Sequence, residues 1–136
     1  MTKTTVQAEF SISGDEKLDI VKITEMLNIN PSKAAVKGER NLNVKREFYH
    51  PTSYWIVRTD KEKSYDVEIQ TKKILEKFSD KKNELIKIKE LYNASISLCL
   101  FIEIVDNEKP AIGWSAETNL FLGSIGAESF LDLYIY

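Results

Sequence analysis

The side chains best suited to chemistry are few, and their spacing builds no motif. His50 is the sole histidine and Cys99 the sole cysteine. A histidine-based zinc site needs further ligands at characteristic spacing, and none flanks His50 between Tyr49 and Pro51. A reactive thiolate needs an electropositive, partly open setting, whereas Cys99 sits among Leu98, Leu100 and Phe101. A cysteine–histidine nucleophilic pair is therefore set aside, and no metal or cofactor is expected. Glu103 and Asp132 are more suggestive. Each projects from the less apolar face of an extended segment, and adjacent strands would let two carboxylates perturb one another and work as acid and base. The simpler reading is that they are separate charges keeping a sheet face wet. Arg40, Arg46 and Arg58 are the natural groups to hold an anionic ligand, because a guanidinium pairs with carboxylate or phosphate through two parallel bonds. Trp55 and Trp114 read as core side chains whose indole N–H finds an acceptor.

The elements that must position these groups follow from periodicity. Residues 95–105 alternate strictly: Ile96, Leu98, Leu100, Ile102 and Ile104 face one way, and Ser97, Cys99, Phe101 and Glu103 the other. Eleven residues of that pattern without Gly or Pro predict a central strand with one fully apolar face. Residues 5–13 repeat it with Val6, Ala8, Phe10 and Ile12. Residues 53–59 form another strand with Trp55 and Val57 inward. Residues 44–49 read as an extended segment at the sheet edge, 111–114 as a short return strand, and 129–136 as a closing strand. Asp19 is placed to cap a helix over 20–27 that Asn28 ends. Residues 65–92 follow helical spacing except at 79–82, which predicts two consecutive helices, the second capped by Ser79 or Asp80. Ser115 caps a helix over 116–125 whose apolar side is Leu120, Phe121 and Ile125, with Gly126 as its stop. Residues 31–43 read as a polar loop crossing one end of the sheet.

Composition bounds the class. A chain of 136 residues, 43% hydrophobic and 29% charged, fits one domain over 1–136 with an ordinary core. Nineteen basic against 21 acidic residues give a net charge of −2, which argues against a polyanion surface; no nucleic-acid partner is expected. A lone cysteine suits a reducing compartment, and no segment reads as a leader or a membrane span. The expectation is a soluble cytoplasmic protein with no membrane partner.

Five stretches carry a resemblance. Phe10-Ser11-Ile12-Ser13-Gly14, then Ile23-Thr24-Glu25-Met26-Leu27-Asn28-Ile29-Asn30-Pro31 with Lys37-Gly38-Glu39, then Ser53-Tyr54-Trp55, and finally Phe130-Leu131-Asp132-Leu133-Tyr134 lie in an order and spacing that span nearly the whole chain. Together they resemble the small bacterial proteins of domain of unknown function family 4279. That resemblance implies a bacterial, cytoplasmic α+β domain and names no catalytic residue.

The fold expected is α+β: a mainly antiparallel sheet with helices packed on one face. For function, the favoured reading is a non-catalytic binding or interaction module, in one form an immunity-type protein that neutralises a toxin. The alternative is a small-molecule-binding protein or weak enzyme with its pocket between the 31–43 loop and the sheet. On the sheet face away from the helices, Phe101, Glu103, Phe130, Asp132 and Tyr134 form a candidate partner surface. Aromatic patches of this kind are enriched at interfaces, so a homodimer or another protein partner is expected there.

Overall fold

The computed structural model describes residues 3–136. In chain order the elements are β1 (Thr5–Gly14), α1 (Ile20–Leu27), β2 (Lys33–Ala35), β3 (Ser53–Arg58), β4 (Glu62–Lys63), α2 (Val67–Phe78), α3 (Lys82–Tyr92), β5 (Ser95–Ile104), α4 (Ala116–Ser124) and β6 (Glu128–Ile135). They build one sheet in the order β2-β3-β1-β5-β6, with β4 paired to β1 beyond the end of β3. β1 takes the middle position, and β5 is the interior strand beside it. Every pairing is antiparallel except β5 with β6, where α4 forms the crossover between two parallel strands.

Alternation explains which face is buried. Val6, Ala8, Phe10 and Ile12 of β1 and Ile96, Leu98, Leu100, Ile102 and Ile104 of β5 are all buried under the helices. Phe10 stacks on Phe78 of α2 with ring centroids 4.1 Å apart, and Trp55 meets Phe78 edge-on at 6.2 Å. The Trp55 indole N–H donates to Thr24 Oγ1 at 3.1 Å, which removes the cost of burying a polar atom. On the opposite face Gln7, Glu9, Ser11, Ser97, Cys99, Phe101 and Glu103 are all half-buried, as expected where no second layer covers the sheet. The α+β class with helices on one face is therefore what the chain adopts.

Between β3 and β4 the edge bulges. Gln7 and Ala8 of β1 face Thr59, Asp60 and Lys61, one residue too many for a regular ladder. Thr59 repairs the gap: its N–H donates to the Ala8 carbonyl at 2.9 Å, and its Oγ1 accepts from the Ala8 N–H at 3.0 Å.

Several local expectations change. Residues 44–49 form no strand. They lie in an excursion closed by Asn41 N–H to Phe48 C=O at 2.7 Å and His50 N–H to Glu39 C=O at 2.9 Å, with a single bridge between Arg40 and Tyr49. The 31–43 segment is not loop throughout, since β2 adds an edge strand to β3. Residues 111–114 contribute one bridging residue, Ala111 beside Asp66, because Pro110 and Gly113 bracket it too closely for a ladder to extend. The helical region does divide, but Ser79 caps the C-terminus of α2 and Lys81 stands at the N-cap of α3 without a side-chain bond. In α4 the buried positions are Thr118 and Leu122, whereas Leu120 is 75% exposed. Asp19, Asn28 and Ser115 occupy the caps their residue types predict.

Candidate functional site

The last strand is where the structure leaves most unsatisfied. Ser115 Oγ accepts from the Thr118 N–H at 3.2 Å to start α4. Gly126 then turns the chain in the left-handed region at φ +63°, which glycine adopts without strain. Its carbonyl accepts from Lys89 Nζ at 2.7 Å, fixing where β6 leaves α4. β6 then runs beside β5 with Leu100 opposite Leu131 and Ile102 opposite Leu133. The helix layer stops short of it. Leu100 and Ile102 are fully buried, yet Leu131 and Leu133 beside them are exposed, and Ile135 reaches 74%.

The backbone of β6 is equally one-sided. The Tyr136 N–H donates to the Ile104 carbonyl at 2.9 Å. Main-chain groups alternate sides along a strand, so Phe130, Asp132 and Tyr134 also bond toward β5. The N–H and C=O groups of Leu131, Leu133 and Ile135 therefore point outward, where the sheet order ends. An exposed edge carrying apolar side chains on both faces is the feature natural proteins normally blunt with lysine, proline or a covering loop.

The open sheet face continues this strip. Cys99 lies beside Phe130, Phe101 beside Asp132, and Glu103 beside Tyr134. Asp132 accepts a 2.8 Å hydrogen bond from the Tyr134 hydroxyl, and that bond holds the phenol above its ordinary pKa. Burial, then the nearby Glu9 and Asp132 carboxylates, push the Cys99 thiol up as well, the opposite of an activated nucleophile. Glu103 forms an ion pair with Lys61. Its Oε2 is buried without a partner, as is Oγ1 of Thr5 opposite it on β1. Glu103 and Asp132 are thus diagonal neighbours on one face, but each is engaged by a different group, Lys61 in one case and Tyr134 in the other.

The three arginines are not gathered into one site. Arg58 pairs with Glu9 at 3.0 Å, Arg46 lies 5.4 Å from the centroid of the Phe48 ring, and Arg40 sits in the bridge to Tyr49. A cleft of about 610 Å³ does lie beside the 31–43 segment. Its walls are Ala34–Val36 and Glu39 on one side and Lys17–Val21 on the other, with Tyr92 between, and no arginine lines it. Among the described residues no cluster of His, Cys, Asp and Glu is arranged to hold a metal ion, and no helix is long and apolar enough to cross a membrane.

The alternation of the closing strand places Phe130, Asp132 and Tyr134 on this surface and turns Leu131, Leu133 and Ile135 to the other side, where the structure leaves them exposed. What alternation misses is that a closing strand reached by a helical crossover lands at the sheet edge. The model of the family described as Domain of unknown function (DUF4279) matches residues 2–136. No curated protein matches the chain, and no solved structure does either.

Proposed function

The chain belongs to the family described as Domain of unknown function (DUF4279), and from that premise we propose that it is a non-catalytic protein-binding module, bacterial and cytoplasmic, that docks partners along β6 and the adjoining open face. The observation that carries this reading is the exposed apolar edge of Leu131, Leu133 and Ile135 beside Phe130 and Tyr134. Such an edge accepts an extended partner segment through main-chain bonds, while flanking side chains supply selectivity. An immunity-type role, in which the partner is a toxin, is one form of the proposal; a small acidic α+β domain suits it by analogy of fold alone. Phe101, Glu103 and Asp132 would contact the same partner from the open face. The test is recovery of a stoichiometric partner from the native host with the natural chain and with Ile135→Asp. Loss of that partner in the variant supports docking at β6, and equal recovery with both refutes it.

A second reading rests on the cleft between Ala34–Val36 and Lys17–Val21. Its volume matches small-molecule sites, and a weak enzyme or ligand-binding protein would use it. Lys17, Asp19 and Glu39 supply the charges at its walls, while Arg40, Arg46 and Arg58 would hold an anion only outside it. A thermal-shift screen of metabolites discriminates. Stabilisation lost on Tyr92→Ala assigns ligand binding to the cleft, and a flat screen removes this reading.

A further inference from the structure

We infer that the occupant of the β6 edge is a second copy of the chain, joined strand to strand about a two-fold axis through Leu133 into one continuous sheet. The inference rests on the reading of β6 as a docking edge and adds the partner and the register.

Backbone geometry limits the choices. The outward N–H and C=O groups belong to Leu131, Leu133 and Ile135, as the inward bond of Tyr136 requires. In an antiparallel pair, residues with outward groups must face one another to exchange both bonds. An axis through Leu133 sets Leu131 against Ile135 of the other copy and Leu133 against its own counterpart, so every outward group of these residues finds a partner. Two-fold pairing is also the commonest way identical chains close an interface without leaving a new edge.

Charge and aromatic placement then select among registers. An axis through Asp132 would face Asp132 with its own counterpart in a close pair, and like charges directly opposite are destabilising. An axis through Leu131 would leave Ile135 and Tyr136 overhanging, although these are among the most exposed side chains of the strand at 74% and 62%. The axis through Leu133 avoids both faults. It sets each Asp132 carboxylate opposite the Tyr134 hydroxyl of the other copy, the same donor and acceptor that already meet at 2.8 Å within one chain. Phe130 faces Tyr136 on the open side, an aromatic cross-strand pair. Leu131, Leu133 and Ile135 meet their counterparts on the helix side, where the helices stop at β5. Edge-to-edge pairing buries at most about 1,000 Å² of the two exposed strips, the low end of specific interfaces, so a reversible dimer is expected.

The test uses the purified chain alone. Sedimentation across micromolar to submillimolar concentrations should show a monomer–dimer equilibrium. Leu133→Lys, which places two ammonium groups at the axis, should weaken it by at least about tenfold. Leu133 is already exposed, so the variant folds, as far-UV circular dichroism should confirm. A second measurement fixes the register. In a Cys99→Ser background, Leu133→Cys should form a disulfide-linked dimer under mild oxidation, because Cα atoms of facing bonded residues lie at disulfide spacing, and Leu131→Cys should not. A chain that stays monomeric throughout, a dimer indifferent to Leu133→Lys, or faster trapping of Leu131→Cys would each overturn the inference. The first of these would leave docking at β6 intact wherever a partner from the host is still lost with Ile135→Asp.

Discussion

Cys99 shows how a single position inherits its chemistry from the sheet. Alternation puts its thiol on the open face, half-buried between β1 and β6. Burial there disfavours the thiolate, and the carboxylates of Glu9 and Asp132 add to the effect. Alkylation by iodoacetamide should therefore be slow at neutral pH, with its rate climbing only above the range of an ordinary thiol. Asp132→Asn should shift that profile toward lower pH, and a thiol that reacts like free cysteine at pH 7 would refute the placement. Phe78 is the contrasting case on the buried face. It packs against both Phe10 and Trp55, and Phe78→Ala should destabilise by roughly 3–5 kcal/mol in denaturant titration. The sequence made the cores around Phe10, Trp55 and Leu100 readable because strand alternation is a local property. It could not show that Glu103 would be taken by Lys61, since Lys61 is aimed there by a bulge that only the β1 pairing reveals.

At the scale of elements, the helices differ in how well their ends are satisfied. Asp19, Asp66 and Ser115 each accept a backbone N–H at an N-terminus, whereas Lys81 offers α3 no such bond. Lys81→Asp should therefore stabilise the protein by about 1 kcal/mol, read as a raised denaturant midpoint with an unchanged slope. β4 is held to α2 by Lys73 and Glu62, 2.6 Å apart. The hydrogen bond from Lys73 keeps the Glu62 carboxyl below its ordinary pKa. A carboxyl depressed in the folded state contributes stability that is present above its unfolded pKa and lost as pH falls through the folded one. NMR titration should find Glu62 below an ordinary glutamate, and Lys73→Met should move it up. Where elements were misread from sequence, the cause was tertiary. Residues 44–49 read as extended, yet among the described residues they join no ladder, and Tyr49 bridges Arg40 within their own excursion. Lys33–Ala35 look like loop and become β2 because the edge of β3 lies beside them. The crossover that makes β6 parallel leaves no periodic signal, so alternation shows which way Leu131, Leu133 and Ile135 face but not that their strand lies at the sheet edge.

The whole molecule is a single-layered sheet whose helices stop one strand short of an edge, and that asymmetry gives adjacent leucines opposite roles. Leu100 and Leu131 are register partners on the same face, but only Leu100 is fully buried. Leu100→Ala leaves a cavity under the helices and should cost roughly 2–5 kcal/mol. Leu131→Ala removes contacts that one copy never makes in full, so in dilute solution its cost should stay below about 1 kcal/mol. Concentration then separates monomer from assembly. If two copies join along β6, association stabilises the folded state by mass action, and the melting temperature of the natural chain should rise with protein concentration. Leu131→Ala should flatten that dependence, while Leu100→Ala should lower the curve without flattening it. Parallel curves for the natural chain and Leu131→Ala would mean that the exposed leucines of β6 take no part in association.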